Sequence, residues 1–173
     1  MVIRPDTKNW TWVLERECPE CGFDASVVSA RDVASLLREN AAAWPAVLQR
    51  DDVAARPHAG TWSALEYGAH VRDVFRIFAV RLALMLHGDG PRFDDWNQDA
   101  TAVAERYGEQ DPRTVAVELT VAADTLAAAF DAVPDDAWQL RGFRSDGAEF
   151  TVETLARYFI HDPVHHLHDV GHP

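Results

Sequence analysis

Five of the eight histidines of this chain fall in its last thirteen residues: His161, His165, His166, His168 and His172. On a helix, at 100° per residue, His161, His165, His168 and His172 lie within roughly 60° of one another, so one face carries an imidazole on nearly every turn. Imidazole is the commonest protein ligand for zinc, nickel and related ions, and an i, i+4 pair delivers two ring nitrogens to one ion without bending the backbone. Some ninety residues earlier, His70 shares a helical face with Glu66, Val74 and Ile77, an otherwise apolar stripe that points inward. Taken alone, such a histidine is ordinarily a core residue bonded to Glu66 or to a carbonyl. With His161 and His165 at hand it supplies the third nitrogen of an open, three-ligand catalytic site.

Two features bear on that geometry. Pro163 stands between His161 and His165, where it removes a helical hydrogen bond and can kink the axis. Val152, Leu155, Phe159 and Leu167 lie mostly on the opposite side of the same helix, which makes the histidine face either a solvated end or the wall of a polar cavity. The spacing favours a metal.

A second set of ligand-type residues precedes the helices. Cys18-Pro-Glu-Cys21-Gly22 is half of a zinc knuckle, and a tetrahedral site would need two more ligands, from His58, His172 or the Cys pair of a second subunit. This site is expected to be separate from the histidine site, because two added thiolates would close it; the alternative is a reduced dithiol that helps fold the arm. Around the histidines, Glu66 is a candidate acceptor behind His70, Trp96 a candidate pocket wall, and Arg157 either a substrate-carboxylate ligand or a surface ion pair. No nucleophile elbow, phosphate loop or dinucleotide fingerprint is present, so chemistry would have to come from a metal that acidifies a bound thiol or water.

The elements that must position these residues read as helices. A first is expected from Ser29 or Asp32 to about Arg50, with Pro45 inside it, and a second over 62–87, capped by Thr61 and stopped by Gly88. Residues 88–110 form a long crossover. A third helix follows Asp111-Pro112 and runs to Val133-Pro134, a turn is expected at Asp146-Gly147, and a fourth helix spans 151–168. The expected fold is therefore all-α: a four-helix bundle over residues 29–173 with a long crossover connection, preceded by an irregular N-terminal arm, residues 1–28, that carries the Cys pair.

Composition suits one soluble domain, with 173 residues, 47% hydrophobic and 25% charged. A net charge of −12 repels phosphate backbones, and no basic cluster offsets it, so neither nucleic acid nor an anionic membrane is an expected partner. Residues 1–6 lack the charged-then-apolar pattern of a signal peptide and no apolar run reaches transmembrane length, from which a cytoplasmic protein is expected.

The pattern Thr61-Trp-Ser-Ala-Leu-Glu-Tyr-Gly-Ala-His70, followed by His161-Asp-Pro-Val-His165-His166, resembles the DinB-like superfamily of bacterial four-helix bundles over roughly residues 30–170. That superfamily includes thiol-dependent S-transferases and the metal-binding domain of mycothiol-dependent maleylpyruvate isomerase. The resemblance implies that His70, His161 and His165 hold a divalent metal, zinc or nickel, with His166 and His168 as neighbours of the site. Pro163 departs from the family pattern, and the Cys-containing arm lies outside the shared core. The function expected is activation of a low-molecular-weight thiol, with mycothiol as the candidate cosubstrate, for S-transfer to a small electrophile. The alternatives are a non-catalytic metal-binding or ligand-sensing, stress-linked bundle and a metal-dependent hydrolase. The expected partner is a small-molecule substrate, and homodimer formation is left open.

Overall fold

The computed structural model describes residues 9–171; residues 1–6 and His172, on which two of the expectations above draw, lie outside the described residues. Four long helices make the bundle: α1 (Val33–Val47), α2 (Ala64–His87), α4 (Pro112–Asp131) and α5 (Val152–Asp169), with a short α3 (Gln98–Ala104) in the crossover. Local chemistry starts each one. Asp111 accepts from the Thr114 amide, with Pro112 in the first turn of α4, and Thr151 accepts from the Thr154 amide at the head of α5. For α2 the cap is Ser63 and not Thr61, because only Ser63 has a Glu three residues on. Its hydroxyl accepts from Glu66 N while Glu66 Oε2 accepts from Ser63 N at 2.8 Å, a reciprocal capping box.

The all-α expectation is corrected in one respect, since β1 (Arg92–Phe93), β2 (Arg141–Arg144) and β3 (Glu149–Thr151) form a small mixed sheet. The β2–β3 hairpin turns through Asp146 and Gly147, the latter at φ 97°, as the Asp-Gly pair predicts. The crossover adds β1 in parallel to β2, a long-range pairing that a two-residue segment cannot announce in its own sequence. A Cβ at Gly142 would meet Met85 and Phe93 at 2.8–2.9 Å, so this glycine lets the sheet lie on the end of α2.

Helix α2 packs against α4 and α5, and α1 packs against the same two. Consecutive helices α1 and α2 therefore sit across a diagonal of the bundle, and α2 and α5, distant in sequence, are neighbours. Their interface is held by a fully buried ring, Phe159, which meets Phe75 and Phe78 of α2 and Phe130 of α4 at centroid distances of 5.9, 5.0 and 5.8 Å. Pro45 and Pro163 both lie inside helices without ending them. At Pro163 the neighbouring helix assists: Asn40 Nδ2 donates to the Pro163 carbonyl at 2.8 Å, and Asn40 Oδ1 accepts from Trp44 Nε1.

The arm contains a short 3-10 turn (Trp10–Leu14) and lies along α5. Arg157 secures it, donating to the carbonyls of Ala25, at 3.0 Å, and Ser26. Among the described residues no helix is long and apolar enough to cross a membrane.

Glu66 links local structure to pH. Burial opposes its ionisation, but hydrogen bonds from Arg56 and Ser63 outweigh that and hold the carboxyl below its ordinary value. A depressed folded pKa contributes stability above the unfolded carboxylate value, about 4.3, that is lost as pH falls through the folded value. Glu66→Gln is expected to cost about 1–3 kcal/mol near neutral pH and to flatten the acid-side decline of stability. Urea midpoints of both proteins measured down the acid range check this, and parallel curves would refute it.

Candidate metal centres

Helix α5 carries two i, i+4 pairs of ligand-type residues, one residue out of step: His161 with His165, and Asp162 with His166. The offset turns the pairs 100° apart, so they serve different neighbours. One pair meets the arm and the other meets α2. Sequence spacing grouped His70 with His161 and His165; the structure divides them. It brings together His70, Asp162 and His166 as one cluster and Cys18, Cys21, His161 and His165 as another, with the ligand atoms of each cluster within 4.8 Å of one another.

In the first cluster His70, fully buried on α2, is stacked on Trp96, centroids 5.2 Å apart and planes 5° from parallel, with Trp62 at 5.2 Å and His166 edge-on at 4.8 Å. Its Nε2 is 3.5 Å from Asp162 Oδ1, and His166 Nε2 is 3.7 Å from the same oxygen. Ligands 2.0–2.1 Å from a tetrahedral ion are about 3.4 Å apart, which these separations approach. Both ring nitrogens of His70 and Asp162 Oδ1 are buried with no hydrogen-bond partner among the described residues. Such orphaned atoms are costly in a dry interior, and a cation here would satisfy Asp162 Oδ1 and the Nε2 of His70 that faces it. His166 is oriented from behind, its Nδ1 2.9 Å from Asp169 Oδ2, the carboxylate–histidine arrangement that fixes a ligating imidazole.

Charge fits a cation too. Burial opposes ionisation of Asp162, but His166 and His70 outweigh it and hold the carboxyl at about 2. Burial also pushes the His70 imidazole below its ordinary value, leaving a neutral ring with a lone pair to give. Asp162 and His166 face a cleft of about 320 Å³, walled also by Trp62, Tyr67 and Tyr158 and reached at its edge by His161 and His165, while His70 is wholly buried.

In the second cluster Cys18 Sγ lies 3.7 Å from His165 Nδ1, and Cys21 Sγ 3.8 Å from His161 Nε2. His161 and His165 are buried beneath Trp10, so the arm covers the helix face that periodicity left open to solvent. Burial, with His165 beside it, lowers the His161 pKa to about 4, and burial, with Cys18 beside it, raises that of Cys21 to about 11. The Cys pair thus stands with the two histidines and not as a separate site of the arm.

The remaining candidates are placed as follows. Glu66 directs its hydrogen bonds to Arg56 and Ser63 and not to His70. Trp96 is stacked on the His70 ring and is not in the wall of the cleft, and its Nε1 donates to Thr101 at 2.7 Å. Arg157 is spent on the arm's backbone, and His58 and His168 are exposed. Asp162 is a candidate ligand that histidine spacing alone does not single out, although the string His161-Asp-Pro-Val-His165-His166 carries two overlapping i, i+4 pairs.

The family model of the DinB superfamily matches residues 15–170, and the chain belongs to that superfamily. Among solved structures it is similar to YfiT from Bacillus subtilis, described as a probable metal-dependent hydrolase with an unusual four-helix bundle topology. The two are 16% identical with a TM-score of 0.63, over 96% of this chain and 89% of that one. At that identity the likeness establishes the fold. No curated protein matches the chain.

Proposed function

We propose that the chain is a metal-dependent enzyme acting on a small molecule in the cleft, with His70, Asp162 and His166 holding a divalent ion. The observation that carries this reading is the coincidence of three orphaned buried polar atoms in one cluster that also has ligand-like spacing and an open side. Two imidazoles and one carboxylate suit zinc, nickel or iron(II) and leave coordination positions for a reactant. When bound, the ion would supply Lewis acidity enough to make a water or a thiol acidic near neutral pH. The chain's own residues do the rest: Asp169 orients His166, Trp62 and Trp96 hold the His70 ring and keep water from its back, and Tyr67 and Tyr158 shape the cleft.

Hydrolysis is the reading we favour, supported by the description of YfiT as a probable metal-dependent hydrolase. Thiol S-transfer, with mycothiol as cosubstrate, is the second reading, supported by the resemblance of the Thr61–His70 and His161–His166 strings to thiol-dependent members of the superfamily.

A panel of activated esters and small amides, assayed with metal-loaded protein, is expected to give turnover without added thiol. Asp162→Asn should lower kcat/KM by at least about 100-fold, since it removes a ligand's charge. Turnover that appears only when a thiol and an electrophile are both supplied would move the conclusion to the second reading. Equal activity of wild type and Asp162→Asn would remove the site from both.

A further inference from the structure

The open cluster accounts for one of the two pairs on α5 and leaves the other, with the two cysteines, outside the catalytic reading. We infer that Cys18, Cys21, His161 and His165 form a closed tetrahedral zinc site that clamps the N-terminal arm onto α5.

Distances come first. With Zn–S near 2.3 Å and Zn–N near 2.0–2.1 Å, tetrahedral geometry places sulfur and nitrogen about 3.6 Å apart. The two facing pairs here stand at 3.7 and 3.8 Å, and the four ligand atoms are mutually within 4.8 Å. Little more than side-chain adjustment would bring them onto one ion.

The backbone around the cysteines is already folded as a ligand turn. Gly22 N donates to the Cys18 carbonyl at 2.8 Å and Cys18 N to the Phe23 carbonyl at 2.9 Å, with Gly22 at φ 73°, a conformation that costs glycine least. The Cys-x-x-Cys spacing thereby presents both thiols, unoxidised, to the same side. A set of two sulfurs and two nitrogens in tetrahedral array selects zinc among the common divalent ions.

The outer contacts agree. His165 turns Nδ1 to Cys18 and Nε2 towards carboxylates, Glu20 Oε2 at 3.5 Å and Asp169 Oδ1 at 3.7 Å, whose charge favours the proton on the nitrogen away from the thiol. Zn²⁺ with two thiolates and two neutral imidazoles is formally uncharged, which suits a site covered by Trp10 at 5.4 and 5.2 Å from the two imidazole rings. Four protein ligands leave no position for a reactant, so this site is structural where the other is open.

Its work is positional. Trp10 and Glu20 of the arm stand in the wall of the cleft, and the clamp keeps them there. His161 and His165 adjoin Asp162 and His166 in sequence, and both pairs span Pro163, where the helix lacks a backbone hydrogen bond. Pinning the first pair fixes the rotation of this turn and with it the aim of the second pair at His70.

Metal content and cobalt spectra test this independently of catalysis. The wild-type protein, saturated with cobalt(II), is expected to hold about two ions per chain and to show a sulfur-to-cobalt charge-transfer band with the intense visible absorption of tetrahedral cobalt. The Cys18→Ser, Cys21→Ser double variant should lose the band and one ion while retaining the other, whereas His70→Ala should lose one ion and keep the band. In case the double variant does not fold, the zinc-loaded wild type provides a second readout: alkylation of its two thiols should release about one zinc per chain into a chromogenic chelator. A wild-type spectrum without the band, or a band that persists without the cysteines, would overturn the inference, as would alkylation that releases no zinc. Loss of the ion in His70→Ala bears only on the open site, so failure of either site is told apart from failure of the other.

Discussion

His70→Ala is expected to eliminate turnover and to strip the open site of its ion, weakening affinity by more than about 100-fold. Loss of one of three ligands leaves Asp162 and His166, a pair from one turn of one helix with no partner across the bundle. The effect should be selective for the metal-loaded protein. Among the described residues neither nitrogen of His70 has a hydrogen-bond partner, so the metal-free variant loses ring packing against Trp62, Trp96 and His166 and the 3.5 Å approach to Asp162, and in exchange sheds the cost of a buried unsatisfied imidazole. Metal-free wild type and variant should therefore melt close together. Adding the ion at 100 times its Kd should stabilise the wild type by about 2.7 kcal/mol through this site, and that increment should vanish in the variant. Thermal melts with and without metal, beside elemental analysis, decide it; an increment of the same size in both proteins would sink the assignment of His70.

The largest effect on the fold is expected from Phe159→Ala, about 3–5 kcal/mol of lost stability. The ring is wholly buried and is the meeting point of three helices, touching Phe75, Phe78 and Phe130, so the cavity it leaves has rigid aromatic walls on several sides and little means of collapse. Denaturant titration should show a lower midpoint with the slope unchanged. A loss under about 1 kcal/mol would mean that the neighbouring rings close over the gap, contrary to the packing described.

Much of this architecture could be read from local chemistry. Proline after Asp111, the Asp-Gly turn at Asp146 and Gly147, the apolar periods of four helices and the Trp62-to-His70 string each state their own outcome within a few residues, because caps, turns and helix faces are decided within a few residues. What local chemistry cannot state is partnership. Residues 92–93 become a strand only because β2 lies beside them, and the histidines of α5 sort into two clusters only because the arm covers one face and α2 the next. The spacing of His161 and His165 marked a candidate ligand pair, and the structure sets it beside Cys18 and Cys21. Its partners depended on a rotation of one residue, 100°, and His70 faces the pair that begins with an aspartate.

The diagonal placement of α1 and α2 bears on how the chain acquires its shape. A bundle of successive hairpins can dock each helix on the one made just before it, whereas here α1 has its partners in α4 and α5. During synthesis, Leu37, Trp44 and Val47, all fully buried in the finished molecule, belong to a helix whose main partner, α4, begins only at Pro112, after more than half of the chain. Contacts so remote in sequence make for slower folding than helical bundles usually show, and for a window in which the nascent apolar face of α1 is open to chaperones or to another unfinished chain.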